Sequence, residues 1–212
     1  MSNYNLKSVY AYISLLGARR VDNFYLNDRD KEIYKRLFLY FYQNNQFEKL
    51  HPSYRLSKGL LVTGDIGVGK SLMMSIFRDL LQEKSPQTNF RMEKAFDIAG
   101  EYSQNGYAII EKHGKNCFGK KNGILDKKQP IIKCYDDLGT EDRLTGFYAN
   151  KTNVMEKILL TRYDQFIQFK MKTFITTNFT GEQIEEYYGA RVRSRLREMV
   201  NVINYPGIDR RN

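Results

Sequence analysis

The sequence predicts an α/β fold built on parallel strands, and three observations carry that prediction. Residues 64–71 read Gly-Asp-Ile-Gly-Val-Gly-Lys-Ser, the G-x-x-x-x-G-K-[ST] pattern of a phosphate-binding loop. The flanks agree: residues 59–63 are a short apolar run of strand type, and residues 72–81 are apolar at helical spacing. Two later runs, residues 131–137 and 172–178, are apolar strands that end in polar residues, as strands of an open α/β sheet do where ligands bind.

The loop's residue types follow from the chemistry of a triphosphate, which needs many donors in a small volume. Gly64, Gly67 and Gly69 let the backbone curl with its N–H groups inward and no Cβ in the way. Asp65, Ile66 and Val68 complete the loop, and Leu72 belongs to the first turn of the helix that starts at about Lys70. Lys70 brings a mobile point charge to the β/γ-phosphates, and the Ser71 hydroxyl is a hard oxygen ligand for Mg²⁺. ATP and Mg²⁺ are the expected cofactors.

The chain has 212 residues and 42% hydrophobic content, enough to bury a core and too apolar for wholesale disorder. Lys+Arg number 34 against 24 Asp+Glu, a net charge of +10. That balance points to a polyanion, nucleic acid before acidic lipid; the competing explanation is a merely soluble basic surface. Two cysteines, Cys117 and Cys134, make neither a disulfide framework nor a metal quartet. Cys134, inside an apolar run, is expected to be buried. The first residues carry no signal-peptide core, and nothing approaches the roughly 20 apolar residues of a membrane span. A cytoplasmic protein without membrane association is expected.

In chain order, residues 9–16 read as a short helix broken at Gly17, either a brace on the core or an arm for a partner. Asp28 opens a second helix to about Tyr42, with Ile33, Leu37, Tyr40 and Phe41 on one face. A connector around Pro52 leads to the strand at Gly59. After the loop's helix, residues 84–88 are a loop and 89–93 a weak second strand. Residues 95–110 read as helical, with Phe96, Ala99, Tyr102 and Tyr107 as apolar points and a soft spot at Gly106.

Between two core elements lies a lysine- and glycine-rich stretch with one aromatic, Phe118. Lys115, Lys120, Lys121, Lys127 and Lys128, with Lys112 and Lys133 at its ends, suit backbone tracking on single-stranded DNA. A solvated loop without a partner is the alternative. The strand at 131–137 then ends in Asp136-Asp137, the Walker B pattern. Asp136 is assigned to the metal and Asp137 to the attacking water. A turn at residues 138–141 and a helix over 153–169 follow. The strand at 172–178 ends in Thr177 and Asn178, both placed to sense the γ-phosphate; Asn178 is preferred because its amide donates and accepts at once. A short acidic helix at 181–188 precedes Arg191, Arg193, Arg195 and Arg197; Arg191 and Arg195 share a face at i, i+4. That face is an arginine finger for a neighbouring subunit, a DNA-facing helix or a solvated surface. Residues 200–205 form the last strand.

Taken in order, GDIGVGKS, IIKCYDDLGTE, FITTN and ARVRSRLREM resemble the AAA+ ATPases of the DnaC/IstB type, over about residues 55–208. The resemblance implies five parallel strands in the order 5-1-4-3-2 flanked by helices, an ATPase domain at 51–212, a short helical extension at 1–50 and no C-terminal lid. It implies that Lys70 and Ser71 are Walker A, Asp136 and Asp137 Walker B, Asn178 sensor 1 and Arg195 the finger, with Arg191 beside it. It further implies an ATP-dependent homo-oligomer that engages DNA with a replicative helicase or a transposase. Asp137 stands where many AAA+ proteins carry glutamate; a carboxylate one methylene shorter predicts slow turnover.

The leading expectation is a DNA-replication helper that hydrolyses ATP, assembles on single-stranded DNA and loads a replicative helicase. A transposition helper acting on duplex DNA is the alternative within the family, separable by DNA preference. A small-molecule kinase is the alternative from another class, and predicts an acceptor pocket. A nucleotide-gated switch that scarcely hydrolyses is a third class, which Asp137 keeps open.

Overall fold

The computed structural model describes residues 5–85 and 88–210. The elements in chain order are α1 (Leu6–Ala18), α2 (Asp28–Phe41), α3 (Gln46–Lys49), β1 (Gly59–Thr63), α4 (Lys70–Lys84), β2 (Arg91–Lys94), α5 (Ala95–Asn105), α6 (Tyr107–His113), β3 (Phe118–Lys121), β4 (Ile124–Pro130), β5 (Lys133–Leu138), β6 (Thr145–Phe147), β7 (Asn150–Thr152), α7 (Val154–Phe169), β8 (Thr173–Thr177), α8 (Gly181–Tyr188), α9 (Ala190–Met199) and β9 (Val200–Asn204). Five strands form one sheet in the order β2-β5-β8-β1-β9, every neighbour parallel. Numbered among themselves and read from the β9 edge, they run 5-1-4-3-2, the expected order. The four-residue β2 forms one edge and β9 the other. No described helix is long and apolar enough to cross a membrane.

The chain divides into two compact units, with cuts at Leu56/Ser57, Val68/Gly69 and Asn89/Phe90. The first holds α1–α4. Asn27 and Asp30 form a reciprocal capping box that starts α2 at the expected residue. Tyr34 and Phe41 of α2 meet Phe77 of α4 with ring centroids 5.7 and 5.1 Å apart. Arg19 and Arg20, after α1, pair with Glu83 and Asp79 of α4. Gly17 does not break α1. It lies inside the helix, where a Cβ would fall 2.2 Å from Phe24 Cδ1, so its smallness serves a close approach. Of the loop expected at 84–88, Pro86 and Gln87 lie outside the described residues.

The second unit holds the sheet. Leu61, Tyr135 and Ile175, from three adjacent strands, share a core with Ile98 and Tyr102 of α5, Ile158 and Leu159 of α7, and Leu196 and Met199 of α9. The helix expected over 95–110 is two helices, broken at Gly106 (φ 61°), where a Cβ would meet the Phe147 ring at 2.4 Å. Phe96 and Tyr107 are not core points: they are 61% and 57% exposed, whereas Ala99 and Tyr102 turn inward as expected, joined by Ala95 and Ile98. Both cysteines are buried.

The lysine-rich stretch is a hairpin rather than a loop. β3 and β4 pair antiparallel around Asn122-Gly123, both at positive φ (51° and 80°), the backbone of a two-residue I′ turn. Its base is fixed by Arg162 of α7, which is fully buried. The guanidinium donates to Thr173 Oγ1 (2.7 Å), His113 O (2.9 Å), Lys172 O (2.8 Å) and Ile131 O (3.3 Å). A second hairpin, β6–β7, was not expected; its tip, Tyr148, is 93% exposed at φ 52°.

Candidate functional site

Three strand ends stand level in the sheet. Thr63 of β1 is in register with Thr177 of β8, and Thr177 with Leu138 of β5. The glycine loop therefore leaves β1 beside Asn178, with the acid pair one strand further on, across β8. Gly64, Gly67 and Gly69 all have positive φ (153°, 75° and 100°), as the loop's curl requires. Asp65 and Ile66 are exposed at its tip, Val68 is buried beneath it, and Leu72 and Ser71 are half-buried. Lys70 opens α4 and is 4% exposed. Among the described residues no side chain caps α4, so its first-turn N–H groups suit an anion.

The acid pair occupies a break in the β5–β8 ladder: the register shifts between Tyr135 and Leu138. Asp137 sits in that break at φ 52°, a conformation that aspartate tolerates and most residues avoid. Asp136 is buried, and its Oδ1 accepts the Thr176 hydroxyl at 2.6 Å. The same Thr176 oxygen accepts the Asp137 N–H at 2.9 Å. Thr177, expected to face phosphate, is committed elsewhere: its hydroxyl donates to Leu138 O (2.6 Å) and accepts the Phe179 N–H (3.0 Å). Asn178 is half-buried.

The turn after the pair is anchored by Glu141, which is 3% exposed. Its carboxylate accepts the Gly139 N–H at 2.9 Å and the Tyr188 hydroxyl, while its carbonyl accepts the Tyr187 hydroxyl. Burial pushes the Glu141 carboxyl above the usual carboxylate range, against these hydrogen bonds. The last acid of the D-D-L-G-T-E run thus ties the site to α8. Neither Thr176 nor Glu141 stands out in the sequence as a site residue. Thr176 needs the pairing of two strands 40 residues apart to become visible, whereas Glu141 was within reach as part of a distinctive run.

The remaining residues lie on other elements. Arg195 stacks over the Tyr163 ring (4.4 Å to the centroid) and donates to Tyr163 Oη and Glu198 Oε1, both at 3.2 Å. Arg191 is exposed in the first turn of α9. The β3–β4 hairpin joins β5 at its amino end, the end opposite the acid pair. Lys120, Lys121 and Lys128 are exposed on it, and Lys115 is exposed in the turn before it. Lys127 is exposed too, but its ammonium lies 4.0 Å from the Phe118 ring centroid and donates to Lys115 O at 2.9 Å. Phe118 is buried against Phe169, so it offers no face to a base. Lys112 pairs with Glu101 and the buried Lys133 with Glu93.

No family model matches the chain, and no curated protein matches it in sequence. Among solved structures it is similar to the DnaC helicase loader (17% identity, TM-score 0.57), with 87% of this chain and 94% of that one covered. It is similar to DnaI (21% identity, TM-score 0.51), with 91% and 89% covered. It is also similar to domain III of the Thermotoga maritima replication initiation protein DnaA (16% identity, TM-score 0.53), with 87% and 65% covered. The chain shares the fold of these structures.

Proposed function

We propose that the chain is an ATP-hydrolysing helper of DNA replication that assembles on single-stranded DNA and delivers a replicative helicase. The observation that carries the reading is the level end of β1, β8 and β5, where a glycine loop, Asn178 and Asp136-Asp137 leave neighbouring strands. Ligands of open α/β sheets bind at that end. The DnaC neighbour is by name a helicase loader and the DnaA neighbour a replication initiation protein, which favours replication over other uses of the fold.

In this reading the loop's N–H groups and Lys70 hold the β/γ-phosphates. Ser71 and Asp136 are the hard-oxygen donors that Mg²⁺ prefers, and Asp136, buried and oriented by Thr176, fits that role. The bound ion would neutralise charge between the β- and γ-phosphates. Asp137 orients a water and takes its proton as the oxygen attacks the γ-phosphorus. The bond to the β–γ bridging oxygen breaks, and ADP and phosphate are the products. Asn178 donates to the γ-phosphate or the water. Arg195, released from Tyr163, is the finger toward a neighbouring copy's nucleotide, with Arg191 as the next choice. Lys115, Lys120, Lys121 and Lys128 contact the DNA backbone.

Steady-state ATP hydrolysis with and without single-stranded DNA tests the proposal, with Lys70→Ala as the blank. Stimulation that added salt abolishes is the expected result. A Lys70-dependent phosphoryl transfer to a small acceptor, without response to DNA, would replace it with a kinase.

A further inference from the structure

The residues after β9 run along the glycine loop. The Tyr205 N–H donates to Thr63 O at 2.7 Å, carrying the β9–β1 ladder one residue beyond the strand. From there the two segments stay in contact. A Cβ on Gly64 would stand 2.1 Å from Tyr205 O, and one on Gly207 would stand 3.3 Å from Val68 Cγ1. A Cβ on Gly67 would stand 1.9 Å from Asp209 Oδ1. The Arg210 N–H donates to Gly67 O at 3.2 Å. The Asp209 carboxylate therefore rests against the bare backbone of Gly67, in a loop whose glycines exist to let an anion come close.

We infer that residues 206–210 form a strap that competes with nucleotide, with Asp209 as a tethered anion that vacates the loop when a triphosphate enters. The inference rests on the nucleotide reading above. Three physical points support it. A carboxylate and a triphosphate at the same loop repel each other. A tethered anion acts at a high effective concentration, so it competes well with a free one. The strap leaves without uncovering the core: Asp209 is exposed and its neighbour Ile208 is 80% exposed. Apparent affinity for nucleotide then falls with the fraction of molecules whose strap is in place.

The test titrates a fluorescent ATP analogue with Mg²⁺ into the full chain, into Asp209→Asn and into Lys70→Ala. Asn matches Asp in shape and the site is exposed, so the variant isolates the charge. Removing one charge beside the triphosphate is expected to tighten binding by about tenfold. Saturating Mg²⁺–ATP is also expected to speed hydrogen exchange at the Arg210 amide. Lys70-dependent binding that is equal in the wild type and Asp209→Asn, with unchanged exchange at Arg210, overturns the strap and leaves the nucleotide reading intact. If neither the wild type nor Asp209→Asn binds, both fall together.

Discussion

The Thr176 hydroxyl donates to Asp136 Oδ1 at 2.6 Å and, through the same oxygen, accepts the N–H of Asp137 at 2.9 Å. One β8 side chain thus sets both members of the acid pair, across the break in the β5–β8 ladder. Thr176→Val keeps the shape and removes the hydroxyl. It leaves the buried Asp136 Oδ1 without this donor and the half-buried Asp137 amide without this acceptor, a cost of about 1–3 kcal/mol in unfolding free energy. A water-orienting carboxylate that loses its register costs up to about 100-fold in turnover. ATP hydrolysis should fall on that scale while nucleotide affinity stays within about threefold, and Thr176→Ser should recover most of the rate. Equal turnover in Val and wild type would remove Thr176 from the site.

The exposed lysines of the β3–β4 hairpin should read out as a salt dependence. Each single-strand phosphate contact contributes about 0.7 to the slope of log affinity against log salt. Lys120→Glu with Lys121→Glu should flatten the slope by about 1.4 in an anisotropy titration with an oligonucleotide. Both positions flank the solvent-exposed turn, so the fold should be unaffected. An unchanged slope would move the DNA contact off this hairpin.

Arg162 makes its bonds to carbonyl oxygens, a hydroxyl and the Cys117 sulfur, at full burial. Arg162→Met leaves those buried acceptors stranded, each at a cost of about 1–3 kcal/mol, and should lower stability, seen as a drop in urea midpoint. Arg162→Lys should recover only part of this, because an ammonium cannot bridge the same fork of acceptors.

His113 should make the protein acid-sensitive. Its ring is fully buried; Nδ1 lies 3.3 Å from the Tyr135 hydroxyl, and Nε2 lies 3.3 Å from Glu93 Oε2 without hydrogen-bond geometry. Burial first, then the nearby Lys133, Lys112 and Arg162 charges, lower its pKa to about 3. The unfolded chain, with a histidine pKa of about 6.5, binds the proton more readily. The stabilisation is therefore complete above pH about 6.5 and is lost as pH falls toward 3, by up to about 1.4 kcal/mol per pH unit. His113→Asn should remove that slope from a series of denaturant melts between pH 7 and pH 4.

The parts of the fold legible in the sequence are those in which a local rule and the global fold demand the same residue. Gly64, Gly67 and Gly69 must be glycine for the loop, and their spacing announces it. Gly106 marks the α5–α6 break for a similar reason. Asn122-Gly123 is an equally plain hairpin signal, but the surrounding lysines lack apolar alternation, so charge hides the strands. Phe96 and Tyr107 mislead because aromatic character was read as burial, while the smaller Ala95 and Ala99 face the core. Thr176 and Asp209 were out of reach of any local rule. The first acts through a strand pairing, and the second lies in a segment without regular structure whose partner is 142 residues away.

The four-residue β2 at the sheet edge bears on how copies of this chain would meet in the proposed assembly. Three of its residues, Arg91, Glu93 and Lys94, are charged, and the strand ends where α5 begins. A further strand laid along it would find few free backbone groups and would have to desolvate those charges. Sheet-to-sheet polymerisation is therefore disfavoured at that edge. In the proposed assembly, contact at this edge would then fall to side chains, where it can be made and undone without rebuilding the backbone.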